Sequence, residues 1–152
     1  MTIKIVAENL SKVFGDDPGQ ALDLVQDGKT KDEILAKTGQ TIGVQSVSFS
    51  VEEGEVFVVM GLSGSGKSTL VRMLNKLIDS SDGTIRIDDT DLHNADAQTL
   101  RKVRLEKVSM VFQHFALFPH KTVRENVEYG LKIAGVPARE RRDRALAALD
   151  KV

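Results

Sequence analysis

Residues 61–69, Gly-Leu-Ser-Gly-Ser-Gly-Lys-Ser-Thr, have the composition and spacing of a phosphate-binding loop. Three glycines would let the backbone approach an anion closely, because they carry no Cβ. The backbone N–H groups would converge at a helix N-terminus, where the helix dipole favours negative charge. Lys67 is expected to reach the β- and γ-phosphates of a nucleoside triphosphate, and the Ser68 hydroxyl to ligate Mg²⁺. The candidate nucleotide-binding residues in the loop are Gly61, Ser63, Gly64, Ser65, Gly66, Lys67, Ser68 and Thr69.

The segments on either side of the loop are those that the motif requires. The apolar run Val56–Met60 is short and rich in β-branched residues, which predicts a strand buried on both faces. After the loop, apolar residues recur at helical spacing from Leu70 to Leu77. A glycine-rich turn that only caps a helix could have the same sequence pattern. The order strand, loop, helix favours a nucleoside-triphosphate site instead.

Strands and helices alternate through the rest of the chain. Strands are predicted over residues 3–10, 47–51, 84–87 and 108–112, and the last of these is followed by Gln113. Helices are predicted over residues 96–104 and 122–135, and from Pro137 to the end of the sequence. Residues 16–43 have the pattern of a separate helical insert. Asp17-Pro18 starts one short helix that stops at Gly28, and a Thr30–Glu33 capping box starts another that stops at Gly39.

Composition limits the classes of function. The net charge of −1 over 152 residues gives no electrostatic case for binding nucleic acid. The absence of cysteine excludes disulfides and thiolate chemistry. No apolar stretch approaches the length of a membrane-spanning helix, and the first residues lack the pattern of a signal peptide. A cytoplasmic nucleotide-binding domain of the α/β class is therefore expected.

Three motifs together resemble the ATPase subunit of an ATP-binding cassette (ABC) transporter. They are the glycine loop, the strand ending Val111-Phe112-Gln113, and the segment with Pro119, Thr122-Val123 and Asn126. Residues 34–39 and 61–66 more narrowly resemble importers of glycine betaine and proline. The resemblance implies a P-loop NTPase with a RecA-like core, an antiparallel β subdomain and the start of an α-helical subdomain. Residues 1–113, with the insert, would belong to the core, and residues 114–152 to the exit from Gln113 and the helical subdomain.

The resemblance also implies roles for individual residues. Phe14 would stack on the adenine of ATP, although it could equally pack in a small core, and Val44 would flank the base. Gln113 would reach Mg²⁺ or the attacking water with its amide oxygen; spacing alone would leave it a surface residue. Lys67 and Gln113 would then be catalytic, while Ser68 and Gln113 would hold the metal.

The partners implied by the resemblance lie at the membrane. The segment Phe115–His120 resembles the surface that receives a helix of the transmembrane permease subunit, although its apolar residues could equally serve ordinary packing. A second ATPase subunit would complete a sandwich around two Mg·ATP at the cytoplasmic face of the membrane, and a substrate-binding protein would act indirectly.

The family's signature motif, supporting aspartate, catalytic glutamate and switch histidine are not found in these 152 residues. The resemblance is therefore to the N-terminal part of a nucleotide-binding domain. The fold is expected to be incomplete, and a polypeptide of these residues alone is expected to hydrolyse essentially no ATP.

Two other functions fit a phosphate-binding loop. A small P-loop kinase or GTPase is the first, but the sequence contains no arginine-rich lid and no guanine-reading Asn-Lys-x-Asp motif. A chain that binds nucleotide or a partner subunit without turnover is the second.

Overall fold

The computed structural model describes residues 2–113 and 116–152. The chain forms two compact units, one extending to Leu100 and the other beginning at Arg101. The phosphate-binding loop and the insert belong to the first unit. Each unit has its own packing, and each is described separately below.

An antiparallel sheet organises the first unit. Its strands are β1 (Ile3–Phe14), β2 (Thr41–Glu52), β3 (Asp82–Ile87) and β4 (Thr90–Asp91), in the order β2-β1-β3-β4. Buried apolar side chains on β1 and β3 include Ala7, Leu10, Ile85 and Ile87. The antiparallel β subdomain expected from the sequence is confirmed, and β1 continues four residues beyond the predicted end, up to Phe14.

The insert consists of the two predicted helices, α1 (Pro18–Gln26) and α2 (Lys31–Thr38). The Asp17 side chain caps α1, and the Thr30–Glu33 capping box is fully formed at α2. The backbone N–H and hydroxyl of Thr30 donate to Glu33 and lower the pKa of its carboxyl. The stability that this carboxylate contributes is therefore present at neutral pH and lost as the pH falls through that lowered pKa.

A small apolar core attaches the insert to the sheet. Its members come from β1, β2 and the two insert helices: Val13, Ala21, Leu24, Ile34 and Ile42. All are nearly inaccessible to solvent, with Ala21 and Ile34 at 0% exposure. Helices of eight or nine residues are marginal alone in water, so this packing holds the insert in place.

The other helices largely follow the predicted pattern. They are α3 (Lys67–Leu74), α4 (Ala97–Glu106), α5 (Val123–Ile133) and α6 (Ala138–Leu149). In the second unit α5 packs on α6, and Glu128 of α5 forms salt bridges with Arg124 and Arg141. In the part of the chain that the structure describes, no helix is both long enough and apolar enough to cross a membrane.

Two predicted strands are wrong. Residues 56–60 and 108–112 adopt no regular secondary structure and pair with no strand of the sheet. Val56 and Met60 are each 86% exposed and Val111 is 97% exposed, which is the opposite of burial on both faces. A strand forms only where a neighbouring strand accepts its backbone hydrogen bonds, and no such neighbour pairs with either segment among residues 2–113 and 116–152. The ring of Phe57 still stacks on Phe49 of β2, with centroids 4.8 Å apart.

Replacing Ile34 with alanine tests the attachment of the insert. The substitution leaves a cavity in the small core, and the free energy of unfolding is expected to fall by about 2–5 kcal/mol. The neighbouring Leu35 is 47% exposed, so Leu35→Ala serves as the control, with an expected loss of less than about 1 kcal/mol. Urea denaturation followed by circular dichroism measures both changes. If both variants lose the same free energy of unfolding, the insert is not held by this core.

Candidate phosphate-binding site

The loop of residues 61–66 leads directly into helix α3, which begins at Lys67. Gly66 is the N-cap residue and supplies no side-chain acceptor to the first N–H groups of the helix. These N–H groups and the positive end of the helix dipole therefore face the loop, which is the arrangement that binds phosphate at a helix N-terminus.

The loop packs closely on the backbone of β2. Gly66 has φ 92°, and a Cβ at this position would collide with the carbonyl oxygen of Gly43 and lie 3.4 Å from Cγ2 of Val44. Glycine is required at position 66 both for its dihedral angle and for the space. This contact fixes the height of the loop above the sheet.

The ammonium of Lys67 lies against the loop. Its Nζ donates to the carbonyl oxygens of Gly61 at 2.8 Å and Leu62 at 2.6 Å, and lies 3.4 Å from Oγ of Ser65. These contacts hold the positive charge next to the N–H groups that begin α3. Lysine and helix terminus together form a strongly anion-attracting site.

A cavity of about 350 Å³ opens beside the loop. The loop and α3 contribute Gly61, Ser65, Gly66, Lys67 and Leu70, and β2 contributes Gly43, Val44, Gln45 and Val47. Val59, Met60 and one residue of the insert, Lys31, complete the lining. The volume lies within the range of small-molecule sites, about 300–1,000 Å³.

Phe14, the last residue of β1, lies against Gly43 of β2. A Cβ on Gly43 would lie 2.7 Å from Cε2 of the Phe14 ring, so ring and strand backbone are in direct contact. The ring is 43% exposed, and Nζ of Lys12 lies 5.4 Å from its centroid. Phe14 is therefore not a core residue. Val44, by contrast, is only 6% exposed.

The predicted metal ligands occupy different units. Ser68 is exposed in the first turn of α3, whereas Gln113 is exposed in the second unit. Within residues 2–113 and 116–152, no group of three or more His, Cys, Asp or Glu residues could hold a metal ion. Within the first unit the Ser68 hydroxyl is an oxygen ligand of the kind that fits Mg²⁺ when substrate phosphates supply further oxygens.

The lining residues that sequence reasoning missed include Gly43 and Lys31. Gly43 carried a usable signal, because a glycine inside a strand often marks the close approach of another backbone. Lys31 carried none, since its place in the cavity depends on how the insert packs. Phe115, at the start of the predicted permease-contact segment, lies outside the described residues.

A glycine loop, a lysine and an uncapped helix N-terminus beside a mixed α/β core define a P-loop nucleotide-binding protein. The ABC transporter family model matches residues 44–152. This chain belongs to the ABC transporter family. The resemblance inferred from the motifs is confirmed, and the small-kinase and GTPase alternatives are disfavoured.

The individual relatives include ATP-binding proteins of glycine betaine transport systems. The glycine betaine transport ATP-binding protein OpuAA of Bacillus subtilis is 54% identical over 150 residues, which are 99% of this chain and 36% of OpuAA. The glycine betaine/proline betaine transport system ATP-binding protein ProV of Escherichia coli is 49% identical over 152 residues, which are 100% of this chain and 38% of ProV. The dimeric ATP-binding cassette MJ0796, solved in a post-hydrolysis state with ADP and Pi, aligns with a TM-score of 0.75 at 30% identity, covering 96% of this chain and 56% of MJ0796.

Two glycine variants test the contact between loop and sheet. Gly64 and Gly66 both have positive φ, but a Cβ on Gly64 would meet nothing within 4 Å. Gly64→Ala is therefore expected to show only backbone strain, about 1–2 kcal/mol. Gly66→Ala adds the collision with Gly43, so it should melt at a lower temperature than Gly64→Ala and lose binding of a fluorescent ATP analogue. Equal melting temperatures and equal ATP-analogue binding in the two variants would contradict the importance of this contact.

Proposed function

We propose that this chain provides the N-terminal part of the ATP-binding subunit of an ABC importer for glycine betaine- and proline-type osmoprotectants. The observation that carries the proposal is the phosphate-binding loop packed on β2, in a chain that is 54% identical to OpuAA over 99% of its length. That similarity includes the insert, which precedes the family match at residue 44. ATP hydrolysis by the complete subunit would drive transport.

In this proposal the loop binds the phosphates of ATP. The N–H groups at the start of α3 and the Lys67 ammonium bind the β- and γ-phosphates. When bound, Mg²⁺ neutralises charge on those phosphates. Ser68 and Gln113 would provide oxygen ligands to the metal, and Gln113 would also orient the attacking water. The nucleotide-contacting residues are Gly61, Ser63, Gly64, Ser65, Gly66, Lys67, Ser68 and Thr69.

The base lies toward Phe14. The exposed Phe14 offers an aromatic surface for adenine, and Gly43 contacts both this ring and the loop residue Gly66. Val44 flanks the base from β2. Gly43 and Val44 line the cavity beside the loop, which supports the proposal that one nucleotide contacts both the ring and the loop.

An apolar groove in the second unit is the proposed permease contact. Its volume is about 470 Å³, and its lining includes Leu117, Pro119, Val123 and Val127. Leu117 is 65% exposed and Val123 is 69% exposed. The Asn126 side chain accepts from the backbone N–H of Phe118 and donates to the carbonyl oxygens of Phe118, Lys121 and Thr122. The groove is thus held in a defined shape, as a docking site for an apolar helix requires.

The assembly follows from the function. The subunit would lie peripherally on the cytoplasmic face of the membrane, bound to a transmembrane permease and paired with a second ATPase subunit. A substrate-binding protein would deliver the solute on the opposite side.

The proposal predicts that Lys67→Ala abolishes both ATP binding and uptake. Removing the ammonium leaves the phosphates without their main cation, while the fold should be unchanged. Binding of a fluorescent ATP analogue and uptake of radiolabelled glycine betaine by cells dependent on this protein measure the two effects. In the same assays Leu117→Asp should retain ATP binding but lose uptake. Uptake by the Lys67 variant at the wild-type rate would refute the function.

Replacing Phe14 tests base stacking. Stacking of a base on an aromatic ring contributes about 1–3 kcal/mol, so Phe14→Ala is expected to weaken ATP binding by about one to two decades. Phe14→Tyr keeps the aromatic surface and should bind ATP like the wild type. If Phe14→Ala lowers the melting temperature but leaves the affinity unchanged, the ring has only a structural role.

A further inference from the structure

We propose that Lys31, the first residue of α2, binds the phosphates of the nucleotide together with Lys67. This inference rests on the proposed nucleotide-binding function of the cavity and assigns it a second cation. Lys31 precedes residue 44, where the match to the ABC transporter family model begins. The second cation therefore comes from the insert and not from the matched part of the chain.

The two lysines face one space. Lys31 and Lys67 both line the cavity of about 350 Å³, with Gly66 from the loop and Gly43 and Val44 from β2. Among the lining residues in the described part of the chain, Lys31 is the one that belongs to an insert helix. An ammonium on this wall can meet the phosphates from a direction that the loop itself does not cover.

Packing fixes the position of Lys31. Ile34, one helical turn later, is 0% exposed and lies in the small core with Leu24 and Ile42. Residues three apart lie on the same side of a helix, so Lys31 lies on the side of α2 that carries the buried Ile34, with its own side chain exposed at the cavity. The capping box of Thr30 fixes where the helix begins. The lysine is therefore presented by a rigid element.

The fold itself makes little use of this charge. A cation in the first turn of a helix opposes the helix dipole. Lys31 forms no salt bridge with any carboxylate in the described residues, and the nearby Glu33 bonds to Thr30 and pairs with Lys29 at 3.9 Å. A bound polyphosphate would give the ammonium an anionic partner and remove this unfavourable feature.

The chemistry suits a lysine. Its ammonium is a compact point charge on a flexible stem that can follow a phosphate group. Charge-assisted hydrogen bonds to phosphate are stronger than neutral ones. ATP carries several negative charges, so one lysine and a helix terminus do not complete its neutralisation.

The test compares four variants of the full-length protein by titration with ATP and with adenosine, which carries no phosphate. Lys31→Ala is expected to weaken ATP binding about five- to tenfold, with a smaller effect at high salt, and to leave adenosine binding unchanged. Lys31→Arg should restore ATP affinity, because it retains the charge. Lys37→Ala is the matched control, since Lys37 lies in the last turn of the same helix and does not line the cavity. Lys67→Ala reports on the nucleotide site itself.

Each outcome decides one question. If the wild type binds no ATP, or Lys67→Ala binds it equally well, the proposed nucleotide site is overturned, and the inference with it. If ATP binding depends on Lys67 but Lys31→Ala behaves like Lys37→Ala, the function stands and Lys31 is a solvated surface residue. If Lys31→Ala loses affinity for ATP and for adenosine by the same factor, the proposed phosphate contact is also overturned. Melting temperatures of all variants confirm that each is folded.

Discussion

The contact between Gly66 and the backbone of Gly43 is the constraint on which the site depends. Two residues without side chains allow the phosphate-binding loop to rest directly on β2. The same Gly43 also contacts the ring of Phe14, because a Cβ at position 43 would lie 2.7 Å from that ring. Gly43 is therefore in contact with both the loop and the aromatic ring. A single added Cβ at position 66 would displace the loop and the start of α3 together.

The insert depends on a second constraint, the small core shared by β1, β2 and the two insert helices. Because α1 and α2 are short, their own hydrogen bonds and caps stabilise them little. Burial of Leu24 and Ile34 against Val13 and Ile42 supplies the rest. This packing brings one insert residue, Lys31, into the lining of the cavity, from a segment outside the matched family region.

In the second unit, hydrogen bonds and ring packing hold an exposed apolar surface, the groove that includes Leu117 and Val123, in a defined shape. Asn126 holds residues 118–122 by four hydrogen bonds. The ring of Phe118 packs on Tyr129 of α5, with centroids 4.5 Å apart. Leu117 and Val123 remain accessible on this rigid support. Exposed apolar groups held in this way are typical of a surface that binds another protein.

The sequence alone determined what depends on a few neighbouring residues. The residues of the phosphate-binding loop, the capping box of Thr30, the end of α2 at Gly39 and the strand at residues 47–51 were all predicted, because each signal acts within a short stretch of chain. Pairing partners were not predictable in this way. Residues 56–60 have the letters of a buried strand yet pair with nothing in the described chain, since a strand needs hydrogen bonds from a distant segment. Only the tertiary structure placed Gly43 against the loop and Lys31 in the same cavity as Lys67, because both positions result from packing between segments that are far apart in sequence.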